Sequence, residues 1–174
     1  MHLEPIGVIR SGFVQAAGTP IQPCRALDAE GRVELLPQYV EGLQDLGGFD
    51  RIWLIYHFDR ACAAKMHVIP YRDTVEHGIF ATRVPARPNA IGLSCVKLLA
   101  IEGLILRLAQ VDILDGTPLL DIKPYVPQYD NYPIIHCGWI DHVPDVPVVA
   151  DGRFEKSRTC CCGSPAPRSQ RGTA

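Results

Sequence analysis

Leu93-Ser-Cys-Val-Lys-Leu-Leu-Ala-Ile-Glu-Gly-Leu-Ile-Leu-Arg-Leu-Ala-Gln-Val-Asp112 is two apolar runs separated by a Glu102-Gly103 pair. Glycine accepts the backbone that a tight reversal needs, so residues 93–101 and 104–112 are predicted to pair as an antiparallel hairpin. Leu104, Leu106 and Leu108 then share one face. The same signature recurs on both sides. Residues 51–58 form a continuous apolar run with Trp53 and Tyr56, long enough for a buried strand. Residues 5–10, 31–36 and 119–122 read as further strands, and 78–82 as a short one. Residues 37–46 carry the one helical pattern: Pro37 opens it, Tyr39, Val40, Leu43 and Leu46 recur at helical spacing, and Gly47-Gly48 ends it. Strands dominate, and helical crossovers are too few for a parallel doubly wound sheet. The expected fold is all-β dominated, a small closed or nearly closed β-barrel with one or two peripheral helices.

The chain has 174 residues, 47% apolar and 21% charged, enough for one cored domain. From Asp151 onward Arg, Ser, Pro, Gly and Cys take over and apolar periodicity ends. The expected organisation is therefore a barrel domain over 1–150 and a disordered tail over 151–174. No run of about 18 apolar residues is available to span a membrane. Met1-His2-Leu3-Glu4-Pro5 lacks the basic and apolar regions of a signal peptide, so a cytoplasmic setting with no membrane partner is expected.

The net charge of −2 is unevenly spread. Residues 151–174 hold five Lys/Arg and two Asp/Glu, a balance of +3, which leaves −5 for residues 1–150. So acidic a body lacks the overall electrostatic footprint of a nucleic-acid binder and gives no reason to expect DNA. An RNA contact would need a local patch such as Arg72, Arg83, Arg87 and Lys97, or the tail. Cys24, Cys62, Cys95 and Cys137 show no Cys-x-x-Cys spacing and read as reduced thiols. Cys160-Cys161-Cys162 reads as an oxidation-prone stretch of tail rather than a metal site. His57, His67, His77, His136 and His142 share no ligand spacing, and no metal is expected.

Polar and stiff residues concentrate between Arg83 and Asp130. Pro85, Pro88, Pro118 and Pro124 fix φ, while Gly92 and Gly116 permit unusual backbone. Asn89, Arg83, Arg87, Lys123, Asp112, Asp115 and Asp121 stand among them. A plain turn requires far less, so this stretch reads as a binding site.

Three motifs in this region carry a resemblance to a known family. They are Phe80-Ala81-Thr82-Arg83, then Arg87-Pro88-Asn89-x-Ile91-Gly92-Leu93-Ser94, then Asp115-Gly116-Thr117-Pro118-x-x-Asp121-Ile122-Lys123-Pro124-Tyr125. With Ile6-Gly7-Val8-Ile9-Arg10-Ser11, Gly42-Leu43 and Phe49-Asp50-Arg51-Ile52-Trp53, the chain resembles the TsaA-like family over roughly residues 5 to 142. The characterised members of that family are TrmO-type tRNA methyltransferases. The resemblance implies a β-barrel enzyme, usually homodimeric, that uses S-adenosylmethionine to methylate the base nitrogen of threonylcarbamoyl-adenosine beside the tRNA anticodon. The absence of Gly-x-Gly-x-x-Gly after a strand agrees with a cofactor site outside the Rossmann class.

Carried over by position, the family's cofactor contacts fall on Pro20, Ile21, Gln22, Asp59, Arg60, Arg83, Leu93, Ala109, Gln110, Val111 and Asp112. Two positions depart from the family pattern: Asp59 stands where relatives often carry His, and Ala90 replaces a usual Pro. Arg87, Lys123 and Tyr125 are candidates for substrate contact, with Arg87 facing RNA phosphate and Tyr125 equally readable as a core aromatic. Asp115 reads as a turn residue, Asp121 as the structural partner of Lys123 or an arginine, and Asn89 as a side-chain brace. The residues single out no general base and leave the catalytic group unassigned. Three functions remain open: the tRNA methyltransferase, a methyltransferase of the same fold acting on another acceptor, and a non-catalytic S-adenosylmethionine-binding regulator.

Overall fold

The computed structural model describes residues 2–156, and the expected tail from 157 onward, with Cys160-Cys161-Cys162, lies outside the described residues. Eight strands form in chain order: β1 Gly7–Ser11, β2 Glu30–Leu35, β3 Arg51–His57, β4 His67–Val68, β5 His77–Gly78, β6 Ile91–Glu102, β7 Ile105–Ala109 and β8 Thr117–Pro124. Six of them close an antiparallel barrel in the order β1-β2-β7-β6-β3-β8, and β4 pairs with β5 outside it. The barrel is closed, and the one α-helix among the described residues, α1 Pro127–Asp130, is peripheral.

Alternation explains the closure. On β3, Ile52, Leu54 and Tyr56 point inward, and Val96 and Leu98 of β6 meet them from the next strand. Ile9, Val33, Leu106, Leu108 and Leu119 complete a core from which water is excluded. Such a face contributes roughly 25 cal/mol for each Å² of apolar surface buried. The hairpin predicted from residues 93–112 forms, turning at Gly103 with φ +63°. A register shift between Leu98 and Ala100 bends β6, so its first half pairs with β3 and its second with β7. Such a bulge re-aims a strand and helps to close a barrel.

Two sequence expectations are corrected in detail. Residues 37–46 are helical only as tight 3-10 turns, Pro37–Leu43 and Leu46–Gly48, broken where Asp45 takes φ +64°. Gly42, Gly47 and Gly48 are poor residues for the interior of an α-helix, and the left-handed backbone at Asp45 ends the helical ladder between the two segments. Residues 78–82 supply only the β5 bridge and then the 3-10 turn Ile79–Ala81, whose Ile79 is buried in a second, smaller core. That core gathers Val68, Val84 and Ala86, and also Phe154. The packed chain therefore runs past residue 150: Phe154 is 4% exposed, and its carbonyl accepts from the Cys62 amide.

Candidate functional site

The barrel presents one crowded rim. The connections after β1, β3, β5 and β7 all emerge there, and residues 139–155 fold across them. Between these layers lies a cavity of about 690 Å³. Its volume falls within the ~300–1,000 Å³ typical of small-molecule sites.

Tight local bonding builds the walls. The Gly18 amide donates to the Ala150 carbonyl and the Ala150 amide to the Thr19 carbonyl across the first wall, which places Pro20, Ile21 and Gln22 beside the opening. Phe58, Asp59 and Arg60 continue directly from β3. Arg60 donates to the Asp115 carbonyl at 2.6 Å, and its own carbonyl accepts from the Lys156 amide. Opposite, the 79–87 loop folds around one side chain: Arg87 Nη1 donates to the carbonyls of Thr82 at 2.7 Å and Ile79 at 3.2 Å. Arg83 reaches across the mouth to Gln22 Oε1 at 2.9 Å, joining the two walls. Trp139 donates to the Ala81 carbonyl and stacks on His77, with ring centres 4.6 Å apart.

A buried polar chain forms the floor. The Tyr56 hydroxyl lies 3.1 Å from Ser94 Oγ, which donates to Asp112 Oδ1 at 2.7 Å. Burial pushes the Asp112 carboxyl up to about 6, against the opposing pull of the Ser94 hydrogen bond, its own backbone and the Arg83 charge. Burial likewise pushes the Tyr56 phenol well above its ordinary range, helped by the Asp112 charge.

Of the cofactor positions carried over by resemblance, Pro20, Ile21, Gln22, Asp59, Arg60, Arg83, Leu93 and Asp112 line this one cavity, as does Arg87. Ala109, Gln110 and Val111 do not. Val111 is a core residue, and Gln110, held at φ +63°, turns its side chain away to accept from Arg51 at 2.6 Å. Lys123 and Tyr125 lie beside the Arg51 end of β3, away from the Tyr56 end that meets the cavity. There Lys123 pairs with Asp121 at 2.8 Å and Tyr125 packs on Trp53. Asp115 stands in the turn before β8, and its side chain ties that turn to β1 by accepting from the Ser11 amide. Asn89 works through its backbone carbonyl rather than its side chain, accepting from the Ile91 amide at 2.7 Å.

Sequence reading missed Tyr56 and Ser94 as site residues. Their signal was a serine inside the apolar run Leu93-Ser94-Cys95-Val96, facing a tyrosine in another apolar run. It also missed Trp139, Tyr71 and Phe154, because the segment that brings Trp139 and Phe154 to the wall has no periodicity.

The residues present suit an adenosine-type ligand bearing both charges. Tyr56, Phe58, Tyr71, Phe80 and Trp139 supply flat apolar surface, Arg83 a planar cation and Asp112 an anion. Arg60 Nε and Arg72 Nε are buried at this wall with no hydrogen-bond partner among the described residues, a cost that a ligand acceptor would remove. No group of three or more His, Cys, Asp or Glu side chains is placed to hold a metal among the described residues.

Fold and site together define a small antiparallel barrel with a nucleotide-sized cavity on one rim. The model of the tRNA-methyltransferase O N-terminal domain matches residues 8–131, and the chain belongs to that family. Similar proteins include a probable S-adenosyl-L-methionine-binding protein of Pyrococcus abyssi, 53% identical over 79% of this chain and 75% of that protein. The human tRNA (adenine(37)-N6)-methyltransferase is 37% identical over 74% of this chain and 31% of its own length. A crystal structure of TrmO from Pseudomonas aeruginosa superposes with a TM-score of 0.67 and 41% identity, covering 79% of this chain and 62% of that one.

Proposed function

We propose that the chain is an S-adenosylmethionine-dependent tRNA methyltransferase acting on the N6 nitrogen of the adenine beside the anticodon, in its threonylcarbamoyl form. One observation carries the reading. Eight residues from separate segments, matched to cofactor positions by resemblance alone, converge on a single cavity of suitable size. The names of the Pyrococcus and human relatives support the cofactor and the substrate class respectively.

When bound, S-adenosylmethionine supplies a methyl group on a sulfonium, ready for in-line displacement. The chain's own residues do the placing. Arg83 offers a planar fork to a carboxylate, Asp112 accepts from a donor, and the aromatic wall excludes water. An acceptor nitrogen between adenine and a carbonyl is a poor nucleophile while neutral, because its lone pair is delocalised. Positioning is therefore the largest lever the chain supplies. Arg83 is exposed at the mouth and its tie to Gln22 can be exchanged for the cofactor carboxylate, whereas Arg87 is committed to holding the 79–87 loop.

The same reading includes a homodimer working in the cytoplasm. Tyr129, Tyr132, Ile134 and Ile135 are each at least 70% exposed within one short stretch, and Ile91 and Leu93 are exposed at the cavity mouth. Exposed apolar residues at both places offer surface that a second copy would cover. Leu119 takes no part in such a surface, because it is fully buried in the barrel core. Sedimentation across a concentration series, run beside methyl-transfer assays, tests the dimer; full activity from a monomer would remove it.

Mass spectrometry of anticodon-loop nucleosides from a strain lacking this gene tests the function. Loss of methylated threonylcarbamoyl-adenosine is expected. An unchanged nucleoside profile would move the assignment to another acceptor.

A further inference from the structure

We propose that Tyr56 and Ser94 are positioning residues that hold the Asp112 carboxylate as a fixed hydrogen-bond acceptor for a donor group on the bound nucleoside. The inference rests on the cofactor reading above and adds to it how the site fixes its ligand.

Ser94 occupies an inward position on β6 and is 1% exposed, where the barrel otherwise places Val96 and Leu98. A hydroxyl in such a place costs free energy unless its bonds are made. Here they are made in sequence. Ser94 has one proton and gives it to Asp112 Oδ1, so the Tyr56 hydroxyl donates to Ser94 Oγ. Donors aligned in one direction polarise each other and strengthen the last bond, the one onto the carboxylate. Two strands thus aim a side chain that stands at the cavity wall. An ionised carboxylate has about four acceptor sites, and Ser94 fills one of them.

The chain orients and does not conduct protons. It ends at Tyr56, packed in the barrel core against Phe58, and burial holds its phenol protonated. The groups facing Asp112 are Tyr56 from β3, Ser94 from β6 and Arg83 from the 79–87 loop. Of these, Ser94 is the one hydrogen-bonded to it. The ligand chemistry that suits a carboxylate in this setting is a hydrogen-bond donor, either an ammonium or a ribose hydroxyl.

The test titrates S-adenosylhomocysteine and 5′-methylthioadenosine, which lacks the amino-acid part, against wild type, Ser94→Ala and Tyr56→Phe between pH 5 and 8. In parallel, carbon NMR follows the Asp112 carboxyl without ligand. Ser94→Ala is expected to weaken S-adenosylhomocysteine roughly three- to tenfold, the loss of one oriented hydrogen bond. It should also raise the pH at which binding is lost on acidification and raise the ligand-free Asp112 midpoint. Tyr56→Phe should move all three in the same direction by less. Weakening confined to S-adenosylhomocysteine places the ammonium on Asp112, and weakening of both probes places the ribose there. Wild-type affinity and an unmoved pH midpoint in Ser94→Ala, whatever its melting temperature, would overturn the proposal. If wild type binds neither nucleoside while the Asp112 midpoint still moves, the cofactor reading falls and the hydrogen-bond chain itself stands.

Discussion

Gly92 lies against the ring of Tyr56: a β-carbon built on Gly92 would stand 2.1 Å from the ring's Cε2 and 2.4 Å from its Cζ. The two residues are direct partners in the β3–β6 register. Tyr56 therefore fills the space a side chain would take, and this sets its hydroxyl against Ser94. Gly92→Ala is expected to destabilise the fold by about 1–3 kcal/mol through overpacking. In a position with room, the same change stabilises by about 0.4–1 kcal/mol, so thermal unfolding decides by sign.

Arg83→Lys keeps the charge and loses the planar fork. If Arg83 holds the cofactor carboxylate, the loss of a charge-assisted bond of about 1.5–3 kcal/mol should weaken binding roughly ten- to hundredfold. An unchanged dissociation constant would return Arg83 to a structural tie with Gln22.

Asp112 should cost stability at neutral pH. Its carboxyl is raised to about 6 by burial, above the ordinary value of 3.8 that it has when unfolded. Between these two values the folded chain binds more protons, so stability falls as pH rises from about 4 through 6. At about 1.4 kcal/mol per unit, the loss is of the order of 2–3 kcal/mol. Asp112→Asn should remove that slope, raise the melting temperature at pH 7 and impair ligand binding. A melting temperature at pH 7 below that of wild type would contradict this.

The segment after Ala150 is expected to divide at Lys156. Phe154 is buried in the second core and the Lys156 amide is bonded to Arg60, so ending the chain at residue 150 should destabilise the cavity wall. Phe154→Ala alone should cost about 3–5 kcal/mol. Ending the chain at residue 156 should leave stability and cofactor binding near wild type, as measured by denaturant unfolding and calorimetry.

What could be read from the sequence follows from periodicity. β3, β6, β7 and β8 were legible because apolar residues cover one face of a closed sheet along each, and Glu102-Gly103 announces the reversal. Asp45, by contrast, interrupts an apparently continuous helix by adopting left-handed backbone, which spacing does not reveal. Phe154 is a single aromatic in a polar run, so its burial depends on a surface the rest of the chain has first to build. The site divides in the same way. Arg83 and Leu93 were reachable through motif positions and Asp112 through the end of the second hairpin strand, while Trp139 comes from a segment without pattern. Lys123 and Tyr125 sit in the same motif as Asp121, yet strand β8 carries them along the barrel away from the cavity.

The most direct test of the account is calorimetric titration of metal-stripped protein with S-adenosylmethionine and, separately, S-adenosylhomocysteine. The cavity formed by Arg83, Asp112 and the aromatic wall predicts saturable binding of both at one site per chain, weakened by Arg83→Lys and by Asp112→Asn. Absence of any binding heat at millimolar ligand, from protein shown to be folded, would contradict it.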